Sequence, residues 1–105
     1  PTYSFDDALD NTQLLGLADY YQEGDIYFKP IHEEIIRRFR IDPVGLLNEL
    51  GASNERTVKK VCKSIVDAGI DVNSVSEIQT NLTDEGLTAY QILEKLNSQK
   101  GETLP

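Results

Sequence analysis

The residues of this 105-residue chain whose types and spacing could do chemistry fall into a few groups. Arg56, Lys59, Lys60 and Lys63 recur at intervals of three and four. On a helix that spacing gathers them on one face, able to meet phosphates or an acidic protein, or simply to be a solvated face with intrahelical pairs. The doublets Asp6-Asp7, Glu33-Glu34 and Asp84-Glu85 could in principle do acid–base work or hold a cation. Each stands where a helix is expected to begin, and the helix dipole already favours anions there. His32, beside Glu33 and Glu34, fits an ordinary surface or capping histidine. Cys62 falls on the apolar side of its segment and reads as a packing thiol. A Gly-rich phosphate loop, HExxH, GxSxG and calcium-loop spacing are all missing from the sequence. No residue is therefore assigned to catalysis, no cofactor is expected, and one Cys with one His cannot build a tetrahedral zinc site.

Aromatic residues are unevenly placed: Tyr3, Phe5, Tyr20, Tyr21, Tyr27, Phe28 and Phe39 precede residue 40, and Tyr90 alone follows it. They read either as a corner of the core or as an acidic, aromatic protein interface carried by Tyr20, Tyr21, Tyr27 and Phe28.

The elements that must position these groups are mainly helical. Asn11 and Thr12 offer caps to a helix through Leu14, Leu15, Leu17, Ala18 and Tyr21, closed by Glu23-Gly24-Asp25. Ile26-Tyr27-Phe28 is β-prone but short, and Pro30 then suits the first turn of a helix with Ile31, Ile35, Ile36 and Phe39 on one stripe. Asp42-Pro43 opens a leucine-rich helix that ends at Gly51. Ser53 or Asn54 caps a longer one to about Ala68, with Val58, Val61, Cys62, Ile65 and Val66 on the face opposite the bases. Gly69 stops it. Residues 70–82 alternate loosely around a polar centre, which a short hairpin or, over 75–82, a helix would explain. Thr83-Asp84-Glu85 opens a last helix carrying Leu87, Tyr90, Ile92, Leu93 and Leu96.

Leu46 to Val61, through Gly51-Ala52-Ser53-Asn54-Glu55-Arg56-Thr57-Val58, resembles the helix-turn-helix of winged-helix transcriptional regulators. Leu82-Thr83-Asp84-Glu85-Gly86 is similar to the end of the wing in MarR-like and PadR-like members, and Gly69-Ile70 to the start of their first wing strand. The resemblance covers roughly residues 31–98. It implies a winged helix-turn-helix with a β-hairpin wing, with an all-α bundle as the alternative. It also implies binding of double-stranded DNA, as a homodimer, through Ser53, Arg56, Thr57, Lys59, Lys60 and Lys63. Two features depart from the pattern: the turn is one residue longer than usual, and 71–82 contains no Lys or Arg.

Charge decides how far that implication reaches. The net charge of −8 favours basic partners over nucleic acid. Residues 1–28 hold six acids and no base, 29–63 hold eight bases against five acids, and 64–105 hold two bases against seven acids. An acidic adaptor or inhibitor, occupying the basic surface of a nucleic-acid-binding protein, is thus the competing expectation. Length, 39% hydrophobic content and the lack of repeats or linkers imply one domain over 1–105, with an acidic aromatic segment at 1–28 ahead of a core at 31–98. No apolar run reaches membrane-spanning length, and a single cysteine suits a reducing, cytoplasmic setting.

Overall fold

The computed structural model describes residues 9–72 and 79–102, which form five helices: α1 (Asn11–Tyr20), α2 (Phe28–Ile41), α3 (Pro43–Gly51), α4 (Glu55–Asp67) and α5 (Asp84–Glu102). Side-chain caps explain most of the boundaries. Asp10, rather than Asn11 or Thr12, caps α1: its carboxylate accepts from Gln13 N at 2.8 Å while Gln13 Oε1 accepts from Asp10 N at 2.9 Å. The Asp42 carboxylate accepts from Gly45 N at 3.0 Å, with Pro43 at the first position of α3. Asn54 caps α4 by accepting from Thr57 N at 2.9 Å. Gly69, at φ 79°, takes the left-handed conformation that closes it.

Ile26-Tyr27-Phe28 makes no strand. The Asp25 carboxylate accepts from Gln22 N at 2.8 Å and the Asp25 carbonyl from Phe28 N at 3.1 Å. That tight turn leads directly into α2, so local turn chemistry overrides β-propensity. Pro30 sits within the first turn of α2, where its missing N–H has no helical partner to lose.

The core is contiguous and takes residues from every helix: Leu14, Leu15 and Ala18 from α1, Ile31, Ile35 and Phe39 from α2, and the three leucines of α3. From α4 come Val58, Val61, Cys62, Ile65 and Val66, and from α5 Ala89, Tyr90 and Leu93. Most of the periodic apolar positions of the sequence thus point inward; Leu87 is half-buried outside this core. α1 is an integral wall of this core rather than a segment ahead of it. α3 and α4 are joined by the short turn 52–54, and α5 lies along both.

A hairpin over 70–82 is not seen among the described residues, which contain no strand. Residues 79–81 form a turn of 3₁₀-helix, and Val72 is buried in the core. The centre of the expected wing, 73–78, lies outside the described residues. What replaces the wing's role at the start of α5 is a side chain. Asn48 Oδ1 accepts from Thr83 N at 2.8 Å and from Thr83 Oγ1 at 3.1 Å, and Thr83 Oγ1 in turn accepts from Gly86 N at 3.0 Å. The described architecture is mainly helical.

α3 and α5 approach so closely at Gly51 and Gly86 that a Cβ on Gly51 would strike the Glu85 carbonyl and one on Gly86 would strike Asn48. Gly51→Ala should therefore destabilise the domain by about 3 kcal/mol, despite the gain in helix propensity. Gly16, on the exposed side of α1 with no atom near its would-be Cβ, should behave oppositely. Gly16→Ala should stabilise by up to ~1 kcal/mol. Urea titrations of the two variants check the pair, and shifts of the same sign would contradict the packing described.

Candidate functional site

The four bases of α4 share one side of the helix, and each is engaged from within the chain. Arg56 Nη2 lies 2.7 Å and Nε 3.1 Å from the same oxygen of Asp19, near the end of α1. Thr57 Oγ1 donates to that oxygen as well, at 2.8 Å. Hydrogen bonds from Arg56, Thr57 and Asn54 hold the Asp19 carboxyl down at about 2, against the usual carboxylate range. Lys60, half-buried, places Nζ 3.3, 3.2 and 3.5 Å from the carbonyl oxygens of Ala18, Asp19 and Tyr21. Its ammonium thus caps the negative end of the α1 dipole. Lys59 pairs with Glu55 at 3.2 Å and Lys63 with Asp67 at 2.9 Å, each within α4. The Asp67 carboxylate raises the Lys63 ammonium above its ordinary value.

These positions settle part of the expected exposed set. Arg56, Lys59 and Lys63 keep 65%, 62% and 68% of their side-chain surface. Ser53 is half-buried in the α3–α4 turn. Thr57 is a correction: at 1% exposure it is a buried bond to Asp19, because the helix turns it towards α1 rather than to solvent.

Between α1 and α2 the aromatic residues divide. Tyr20 and Tyr27 are exposed, at 74% and 51%, and Ile26 between them reaches 80%. Tyr21 is half-buried against the core and links the two tyrosines, edge-on to Tyr20 with ring centres 5.0 Å apart and tilted against Tyr27 at 5.3 Å. Phe28 is also half-buried and stacks on the His32 ring at 4.0 Å. Acids accompany this turn: Asp19, Glu23 and Asp25. The aromatic segment is therefore split: Tyr21 and Phe28 pack inward, and Tyr20, Ile26 and Tyr27 are displayed to solvent.

His32 is a second correction. It is buried at 4% exposure, with Nδ1 2.6 Å from Ser64 Oγ of α4, while Nε2 is buried and lacks a hydrogen-bond partner among the described residues. Burial, then the nearby Lys60 ammonium, pulls its pKa down to about 4. The line Phe28, His32, Ile36 at i, i+4 carried that signal, because it flanks the apolar stripe of α2. Glu34 was expected to answer the dipole of a first turn. Instead it is buried in the second turn and takes Arg37 at 2.8 Å and Arg38 at 2.7 Å, which hold it at about 2.

A groove of about 450 Å³ runs between α2, α4 and the turn before α2, with Phe28, Ile36 and Ala68 among its apolar walls and His32 and Ser64 also lining it. Serine beside histidine is the beginning of a nucleophile–base arrangement. Here burial and Lys60 both resist the imidazolium that a general base must become, so the pair works as a buried hydrogen bond. Cys62, whose thiol burial pushes up to about 12, is equally inert. Among the described residues no three metal-ligating side chains cluster, and no helix is long and apolar enough to cross a membrane. Comparison with protein-family models, curated proteins and solved structures gives no match.

The buried neutral His32 ties stability to pH. Its folded pKa lies below its unfolded value of 6.5, so the unfolded chain binds the extra proton first. Stability is complete above about pH 6.5 and falls as pH drops towards 4, by on the order of 2 kcal/mol. Asp19 and Glu34 act in a lower window, stabilising above their unfolded values of 3.8 and 4.5 and losing that contribution as pH falls towards 2. Denaturant titrations at intervals from pH 7 to 4.5 should show the upper loss in the wild type and a nearly flat profile in His32→Leu. Equal slopes would assign the loss to another group.

Proposed function

We propose that this domain is a non-enzymatic protein-interaction module whose acidic, aromatic turn over residues 19–28 docks on a basic protein. The observation that carries this reading is the junction of α1 with α4. Asp19 and the α1 carbonyls engage Arg56 and Lys60, two of the bases a duplex would need, while Tyr20, Ile26 and Tyr27 stand out beside Glu23 and Asp25, which make no ion pair among the described residues. Large apolar side chains rimmed by charge of one sign favour a partner of the opposite sign. A nucleic-acid-binding protein with an exposed basic surface meets that description. A second copy of the chain does not, since two net charges of −8 would be brought together.

One observation favours a second reading, a DNA-binding regulator of winged-helix type. Arg56, Lys59 and Lys63 remain mostly solvent-accessible on one helix, and lateral rearrangement could turn them to phosphates. Against it stand the in-chain partners that a duplex would have to displace and the overall acidity.

Fluorescence anisotropy separates the two. A labelled amphipathic Lys/Leu peptide should bind at low salt, weaken as salt rises, and lose about tenfold in affinity with the double variant Ile26→Ser, Tyr27→Ser. A mixed duplex pool should show no binding at high micromolar protein. Salt-dependent duplex binding that falls on replacing Lys59 and Lys63 by Ala would overturn the proposal in favour of DNA.

A further inference from the structure

The groove between α2 and α4 is continuous with the exposed turn: Gln22, Glu23 and Phe28 line it, and Ile26 and Tyr27 stand beside its mouth in the chain. Its volume of about 450 Å³ falls in the range of sites that receive a bulky side chain or small ligand. Its charged rim holds Glu23, Glu33 and Asp67 against Lys29, Lys60 and Lys63. Lys60 is held on the α1 carbonyls and Lys63 on Asp67. Glu23, Glu33 and Lys29 have no ion-pair contact among the described residues, while Lys63 acts on Glu23 through space as well as pairing with Asp67. At its wall, the buried Nε2 of His32 lacks a partner among the described residues.

We infer that this groove is the anchor pocket of the docking surface, receiving one large aromatic side chain of a basic partner segment while Glu23 and Glu33 meet the Lys or Arg residues flanking it. The inference rests on the protein-binding reading above and adds the location and chemistry of the anchor. An aromatic side chain matches the walls: it would lie against Phe28, Ile36 and Ala68, and an indole or phenol also carries a polar edge that can approach Ser64. Cationic neighbours match the rim. An acidic segment would meet Glu23 and Glu33 and be repelled. The exposed Tyr20, Ile26 and Tyr27 would then cover the segment outside the pocket.

Two synthetic probes test this: a Lys/Leu amphipathic peptide with a central Trp, and the same peptide with that Trp replaced by Ala. Wild-type protein should bind the Trp peptide at least tenfold more tightly by anisotropy. Ala68 is exposed at the end of α4, outside the core, so Ala68→Trp should fill the groove without unfolding the domain. Circular dichroism melts confirm that the fold is kept. The plugged variant should bind the two peptides alike, at the affinity of the Ala peptide. Glu33→Gln should weaken both peptides about threefold. If the wild type fails to distinguish the peptides, or the plugged variant still prefers the Trp peptide, the anchor pocket is wrong. Should both peptides nonetheless lose affinity in Ile26→Ser, Tyr27→Ser, the acidic-turn reading survives that failure. Absence of binding by either peptide removes both.

Discussion

The carboxylate of Asp19 stands at the point where the first helix meets the fourth, and three donors converge on it from one side. A negative group in the last turn of a helix is unfavourable, because the backbone carbonyls there already carry the negative end of the dipole. Two cations remove that difficulty. Arg56 neutralises the side chain, and Lys60 reaches beneath it to the carbonyls themselves. α1 is thereby fixed across α4 with its final residue, Tyr20, left at the surface. From there the locally bonded Asp25 turn leads into α2 at Phe28, and α2 sets His32 against Ser64 of α4.

The same junction changes what the basic helix can offer. On sequence, four bases opposite an apolar stripe look like a surface waiting for phosphate. In the folded chain the nearest anions are its own, and they approach within 2.7–3.2 Å of Arg56, Lys59 and Lys63. Exposed pairs of this kind contribute little to stability individually. Their effect on recognition is larger, since a ligand must compete with a partner that is always present at high local concentration. Asp19 of α1, together with Glu55 and Asp67 of α4 itself, supplies those in-chain partners.

Helix positions were legible because periodicity and capping residues speak locally. Asp42-Pro43 and Asn54 mark helix starts, Gly69 marks an end, and the stripes of α2 and α4 are buried as their spacing requires. What was not legible depends on contacts distant in sequence. His32 pairs with a residue 32 positions away, Thr57 with one 38 away, and Asn48 holds the start of α5 from 35 residues before it. A charge run gives no hint of whether its counter-ions lie in solvent or in another helix. The β-prone Ile26-Tyr27-Phe28 misleads for the complementary reason: a short Asp25-centred turn determines its conformation, and propensity over three residues is too weak to oppose it.

Polar groups in the interior point to the same division between the two ends of the molecule. At the α3–α5 crossing Asn48, Thr83 and the backbone of α5 satisfy one another, and two glycines let the helices close to contact. At the opposite side, where α2 faces α4, His32 keeps one ring nitrogen without a partner among the described residues, in the wall of an open groove. A buried polar atom without a partner costs free energy that a domain built only for stability would avoid by substitution. That cost is carried in α2, shortly after the displayed Ile26 and Tyr27 in the chain, and not in the tightly packed crossing.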